Sequence, residues 1–138
     1  MTAGYSGKPL AAKLGLKQGG RLIAFDAPAH YLDLVAPLPE GATISTAAWG
    51  DPLVEPVEIV HAFVRDRAEL AARAEALAGL PPPGGAIWVS WPKRTSPLHR
   101  DLTEDGVRAA LLPTGWVDVK VAAVDDDWSG LKFLRRRA

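Results

Sequence analysis

The chain has 138 residues, 48% of them hydrophobic and 23% charged, which suits one compact domain and excludes wholesale disorder. Lys and Arg number 16 and Asp and Glu 16, so no overall field draws the protein to nucleic acid or to an anionic membrane surface. The absence of cysteine excludes disulfides, thiolate metal sites and thiol catalysis. The opening MTAGYSGKPLAAKLGL has neither a long apolar core nor a small-residue cleavage pattern, so it does not read as a signal peptide. No apolar run approaches the roughly twenty residues of a membrane helix. A soluble, cytoplasmic protein of bacterial origin is the expectation.

Pro9 to Leu16 predicts a short helix with Leu10, Leu14 and Leu16 near one side, stopped by Lys17-Gln18-Gly19-Gly20. Arg21 to Phe25 is a short apolar run bounded by Gly and Pro, hence a buried strand. Tyr31, Leu32 and Val35 then take helical spacing, and Pro37 and Pro39 end that helix. Ala42 to Trp49 predicts a second strand and β-branched Ile59 to Val64 a third. Asp66 and Glu69 have capping-box spacing, ahead of a helix with Leu70, Ala74, Leu77 and Ala78 on one stripe and Gly79 at its end. A stiff Pro-Pro-Pro-Gly-Gly turn leads into a fourth strand, Ala86 to Trp91. Asp101 with Glu104 repeats the capping signal for a helix through Leu112. Val117, Val119, Val121 and Ala123 alternate, as on a half-buried strand, and Asp125 to Gly130 turns the chain into a closing hairpin.

Strands alternating with helices, then a terminal hairpin, predict a single three-layer α/β domain over 1–138 with a mostly parallel sheet. The stretches PPPGGAIWVSWP and TGWVDVKVAAVDDDWSGLKFLRR resemble the second half of a class I methyltransferase domain. That resemblance implies the strand order 2-1-3-4-6-5. Over its whole length the chain more closely resembles a family of short bacterial proteins known only as a domain of unknown function. The marks of that likeness are GYSGKPLAAKLGL, WVSWPKR, DLTEDGVR and DVKVAAVDDDWSGLKF, and it implies no activity. In methyltransferases the first strand leads into an acidic residue and a Gly-rich loop that lets the backbone approach the cofactor. Here it leads into Asp26-Ala27-Pro28-Ala29-His30, with no glycine and one amide removed by proline, so the resemblance carries the fold and not the cofactor site.

Open α/β sheets bind ligands at the carboxyl ends of their strands. The segments expected there are Asp26 to His30, Arg65-Asp66, Trp91 to Arg94 and the Asp125 to Trp128 turn. Asp26, His30, Arg65, Trp91, Lys93, Arg94 and Trp128 are therefore the candidate ligand-binding residues. The strand order would bring Trp91 close to Trp128 as aromatic walls, with Lys93 and Arg94 exposed above a crevice for a planar or anionic ligand. Asp26 and His30 could form an acid–base pair. The bland reading makes the tryptophans core, the cations solvated, Asp26 a cap and His30 a surface residue.

Other motifs fail on inspection. Gly4 to Pro9 lacks the spacing of a phosphate loop, and Ser96, His99 and Asp101 crowd one loop rather than forming a triad. His30, His61 and His99 are scattered, Asp125 to Asp127 reads as a turn, and Arg135 to Arg137 reads as a solvated tail. The expected protein is a non-enzymatic domain that binds a small anionic or aromatic ligand or a protein at its carboxyl edge. No cofactor, metal, nucleic acid or membrane is expected. The alternatives are a divergent methyltransferase-like transferase and a homo-oligomeric scaffold using Trp49, Trp91 or Trp128.

Overall fold

The computed structural model describes residues 9–53 and 55–136. Its elements are α1 (Leu10–Leu14), β1 (Arg21–Phe25), α2 (Tyr31–Val35), β2 (Thr43–Ala47), β3 (Ile59–Phe63), α3 (Arg67–Ala78), β4 (Ala86–Pro92), α4 (Glu104–Leu111), a 3-10 turn (Leu112–Thr114), β5 (Trp116–Ala123) and β6 (Trp128–Arg135). They build one α/β domain on a six-stranded sheet of order β2-β1-β3-β4-β6-β5. The first four strands are parallel, and β5 and β6 form the closing antiparallel hairpin. Topology and strand order agree with expectation.

The strands β3 and β4 are buried along their whole length, as strands covered on both faces must be. On one side α3 and α4 pack Leu70, Leu77, Val107 and Leu111 against Phe25, Val60, Trp91, Trp116 and Phe133. On the other, α1 and α2 pack Leu14, Tyr31 and Val35 against Leu22, Phe63, Trp88 and Trp128. Each core tryptophan with a fully buried ring finds a helix-end carbonyl. Trp88 Nε1 donates to Leu14 O at 3.0 Å and Trp116 Nε1 to Ala78 O at 3.1 Å.

Local details differ from the sequence reading. Thr103, not Asp101, caps α4, accepting from Gly106 N at 3.2 Å. Asp101 instead accepts from Arg67 N, at the start of α3. Only Tyr31 and Val35 of α2 are buried, while Leu32 is exposed. The alternation of β5 is interrupted by a register shift between Asp118 and Lys120, which leaves Val119 and Val121 exposed. A bulge and a lysine on an outer strand are what keeps an open edge from pairing with another chain. Arg135 is no tail residue: it ends β6 with its guanidinium 4.7 Å from the Trp116 ring centre. Arg137 and Gly4 to Lys8 lie outside the described residues.

The α1/α2 side holds a buried polar chain that the mid-strand position of His61 does not announce. Tyr31 OH lies 2.9 Å from His61 Nδ1, and His61 Nε2 lies 2.7 Å from Ser90 Oγ. Gly130 makes room for it, since a Cβ there would stand 3.0 Å from Ser90 Oγ and 3.1 Å from the Trp88 ring. Burial pushes the His61 pKa down from 6.5 to about 3, so the folded ring is neutral and serves as one donor and one acceptor.

Two predictions follow from this packing. Trp88→Ala is expected to cost about 3–5 kcal/mol in urea unfolding, because it removes a fully buried ring and orphans Leu14 O; a loss under about 1 kcal/mol would contradict its burial. Below pH 6.5 the unfolded chain takes up a proton at His61 that the folded chain refuses down to about 3. The stability owed to the neutral ring is thus complete above 6.5 and declines as pH falls toward 3, by at most about 1.4 kcal/mol per pH unit. His61→Gln should therefore lose less stability than wild type between about pH 7 and about pH 4; parallel pH profiles would refute this.

Candidate functional site

The chain passes from β1 out to β2 and returns to β3 on the other flank of β1, so the carboxyl ends of β1 and β3 mark the switch point of the sheet. The loop after β1, the Val64 to Asp66 exit of β3, the Pro92 exit of β4 and the β5–β6 turn share this edge.

Asp26 leaves β1 with φ at 56°, the one non-glycine residue in left-handed backbone among those described. This conformation turns its carboxylate toward α3. Trp49 N donates to Oδ1 at 3.2 Å and Arg73 Nη1 to Oδ2 at 3.0 Å. Arg73 also pairs with Glu69 at 3.5 Å, and its guanidinium lies 5.3 Å from the half-buried Trp49 ring. Trp49 in turn meets the buried Phe25 edge-on.

His30 belongs to the opposite face, so the expected Asp26–His30 pair does not form. Its partner is Asp125, with Nε2 and Oδ2 2.7 Å apart. The Asp125 carboxylate is buried, and its other oxygen accepts from Asp127 N and Trp128 N, both at 2.8 Å. Half of the imidazole remains exposed (52%). What reads as an acidic turn is a fixed carboxylate holding a solvent-facing histidine.

Lys93 is half-buried rather than freely exposed: Nζ donates to Asp125 O at 2.6 Å, and its own N donates to Asp127 O at 2.7 Å. Arg94 and Arg65 are exposed, with no ion pair or side-chain hydrogen bond to a described residue. Trp91 and Trp128 do not face each other. Pro92 is the register partner of Trp128, so successive side chains place Trp91 in the core beneath α3 and α4 and Trp128 in the core beneath α1 and α2. Both are buried on opposite faces of the sheet, so they neither pair as facing aromatic walls nor form a self-association patch. A cavity of about 220 Å³ beside the β4 exit is lined by Trp91, Lys93, Arg94, His99, Thr103 and Glu104, among others. Ser96, His99 and Asp101 form no triad: Ser96 Oγ accepts from Leu98 N, His99 lies against Pro92 O, and Asp101 serves α3.

Sequence reasoning missed Asp125, Arg73 and the Tyr31–His61–Ser90 chain. Asp125 had a legible signal, since an Asp that accepts from the amide two residues on is an Asx turn. Arg73 lies one turn after Glu69, which marks a charged helix face but not its reach to Asp26.

No family model matches the sequence, and no curated protein does. Solved structures match over nearly the whole chain. An S-adenosylmethionine-dependent methyltransferase from Aquifex aeolicus superposes with a TM-score of 0.64 at 13% identity, covering 94% of this chain and 89% of that one. The fibrillarin of Aeropyrum pernix, solved with natively bound S-adenosyl-L-methionine, gives 0.59 at 15% identity, covering 90% and 72%. A possible exported protein from Bordetella parapertussis gives 0.64 at 12% identity; the match covers 94% of this chain but only 65% of that protein. The fold is methyltransferase-like. At these identities the likeness establishes the fold alone. Among the described residues no helix is long and apolar enough to cross a membrane.

The two cations of the β4 exit are expected to separate in a melting experiment. Arg94→Ala should change stability by less than about 0.5 kcal/mol, whereas Lys93→Ala should cost about 1–2 kcal/mol through its bond to Asp125 O. Equal effects would mean that Lys93 does not brace the turn.

Proposed function

We propose that this protein is a divergent methyltransferase-like transferase whose small-molecule ligand lies across the carboxyl edge, at the switch point between β1 and β3. The observation that carries this reading is Asp26. A non-glycine residue in left-handed backbone is uncommon, although Asp adopts it more readily than most, and such residues gather at functional sites. Here Trp49 and Arg73 hold it at the position where sheets of this kind take their ligands. Arg65 and Arg94, both exposed at the same edge, suit an anionic group such as a phosphate or carboxylate. The solved methyltransferases of similar fold favour an enzyme over a passive binder.

The residues after β1 do not fit S-adenosylmethionine in the manner of a Gly-rich loop. Every position from Asp26 to His30 carries a side chain, Pro28 has no amide hydrogen, and the Asp26 carboxylate is engaged by Trp49 and Arg73. Side chains must grip the ligand where backbone amides otherwise would. That same loop favours a second reading, a binding domain without transferase activity.

A thermal-shift panel of S-adenosylmethionine, S-adenosylhomocysteine, nucleotides and phosphosugars tests both. An anionic member of the panel at about 100 times its dissociation constant should stabilise the wild type by about 2.7 kcal/mol, and Arg65→Ala should reduce the shift. No shift across the panel overturns the ligand site, and an undiminished shift in Arg65→Ala displaces it. Micromolar calorimetric binding of S-adenosylmethionine would defeat the loop argument. Group transfer to an acceptor, followed by mass spectrometry of the products, separates enzyme from binder.

A further inference from the structure

We propose that His30 and Asp125 form a proton-accepting dyad on the α2 side of the carboxyl edge, serving a hydroxyl or amine group of a molecule bound there. A general base needs a bare ring nitrogen facing the ligand and a partner that fixes the ring and stabilises the charge it acquires. Both are present. The ionised Asp125 carboxylate can only accept, so His30 Nε2 carries the hydrogen across the 2.7 Å contact. In the neutral ring Nδ1 is then the acceptor, and it has no partner among the described residues.

The support behind the ring is fixed at three points. Two backbone amides hold the far oxygen of Asp125. Lys93 holds the carbonyl of the same residue. The next residue after His30 is Tyr31, buried and tied to His61 at 2.9 Å, so the backbone that carries His30 is pinned to the core. An ordinary surface ion pair has two mobile side chains and little net energy. Here only the imidazole is exposed, and its partner is 6% accessible. The link also runs from the loop after β1 across the ends of β3 and β4 to the β5–β6 turn, since those strands lie between β1 and β6. It therefore borders the edge where the ligand is placed.

In the proton transfer, an acceptor O–H or N–H gives its proton to His30 Nδ1 and keeps the electron pair. The imidazolium so formed bears hydrogen on both nitrogens and is stabilised by Asp125. His30 is a catalytic residue in this scheme and Asp125 a positioning one. The assignment rests on the proposed ligand site for its substrate, but its geometry can be examined with no ligand present, so either can fail without the other.

Two-bond proton–nitrogen spectra of the imidazoles provide the first measurement. Wild-type His30 in its neutral form is expected as a single Nε2–H tautomer. In Asp125→Asn the side-chain amide would donate to Nε2 and move the ring hydrogen to Nδ1. Hydrolysis of p-nitrophenyl acetate provides the second. Nδ1 attacks the ester carbonyl and p-nitrophenolate leaves; the acetyl-imidazolium so formed sheds its Nε2 proton, and water then cleaves the acetyl-imidazole to acetate and a second proton, restoring the neutral ring. His30→Gln and Asp125→Asn should each slow this reaction about ten-fold or more, while His99→Gln should leave it unchanged. His30→Gln, at an exposed ring, is expected to melt close to wild type, which separates loss of the base from loss of the fold. A tautomer mixture in wild type that Asp125→Asn leaves unaltered, or equal ester hydrolysis in wild type and His30→Gln, would overturn the dyad.

Discussion

The antiparallel register of β4 against β6, with Pro92 opposite Trp128, decides what the carboxyl edge contains. Four parallel strands alone would offer only the loops that follow them. Because β6 runs the other way, the turn that precedes it is delivered to the same edge. Asp125 thereby comes within reach of His30, a residue 95 positions earlier, and of the Lys93 ammonium. The hairpin also sits close against β4, which suits Gly130: a Cβ there would press on Ser90 and the Trp88 ring at 3.0–3.1 Å, and both would have to give way. A backbone requirement in the sheet interior and the composition of the exposed edge thus have one cause.

The two faces of the sheet are built on different physics. Beneath α3 and α4 the core is apolar, and polarity is confined to the periphery, in Asp26–Arg73 and in Arg108, which joins Glu104 and Asp118. The Arg108 guanidinium keeps the Asp118 carboxyl below its usual range. Beneath α1 and α2 lies the chain Tyr31–His61–Ser90, ringed by Phe63, Trp88 and Trp128. Neutral groups in such a chain avoid the desolvation cost of a buried charge and keep the directionality of hydrogen bonds. α2 has only five residues, too few for helix propensity or apolar burial alone to hold its position. The Tyr31 hydroxyl anchors it to β3 and, through β3, to β4.

The large-scale architecture was legible because it rests on periodicity and punctuation. The apolar runs of β1, β3 and β4, the capped α3 and the turn before β6 all stood out in the sequence, and their alternation dictated the sheet. The edge residues were also placed by topology, since parallel strands put Asp26, Arg65 and Lys93 at one end. Their partners were not legible. Whether Asp26 faces His30 or Arg73 depends on one backbone dihedral, and whether Trp91 meets Trp128 depends on a one-residue offset in register. Such offsets move a side chain to the other face of a sheet, and nothing in residue type records them. Thr103 in place of Asp101 as the cap of α4 is a smaller case of the same limit, because both residues are competent and tertiary contact with α3 decides.

The distribution of apolar surface bears on what this edge can recognise. Among the described residues the exposed large hydrophobic side chains are Leu32 and Leu38 around α2, and Val119, Val121 and Leu134 on the hairpin; none belongs to β1, β3 or β4. A stable protein interface needs a desolvated apolar centre; Trp91 and Trp128 are committed to the two cores, and Trp49 is half-buried against Phe25. What the edge does present is charge held in defined geometry: a carboxylate and guanidinium against a half-buried indole on the α3 side, an imidazole on the α2 side, and exposed Arg65 and Arg94. Groups so arranged act through direction and charge over a few ångströms, and small polar molecules are recognised in that way. The carboxyl edge thus presents polar groups fixed in direction rather than an apolar patch.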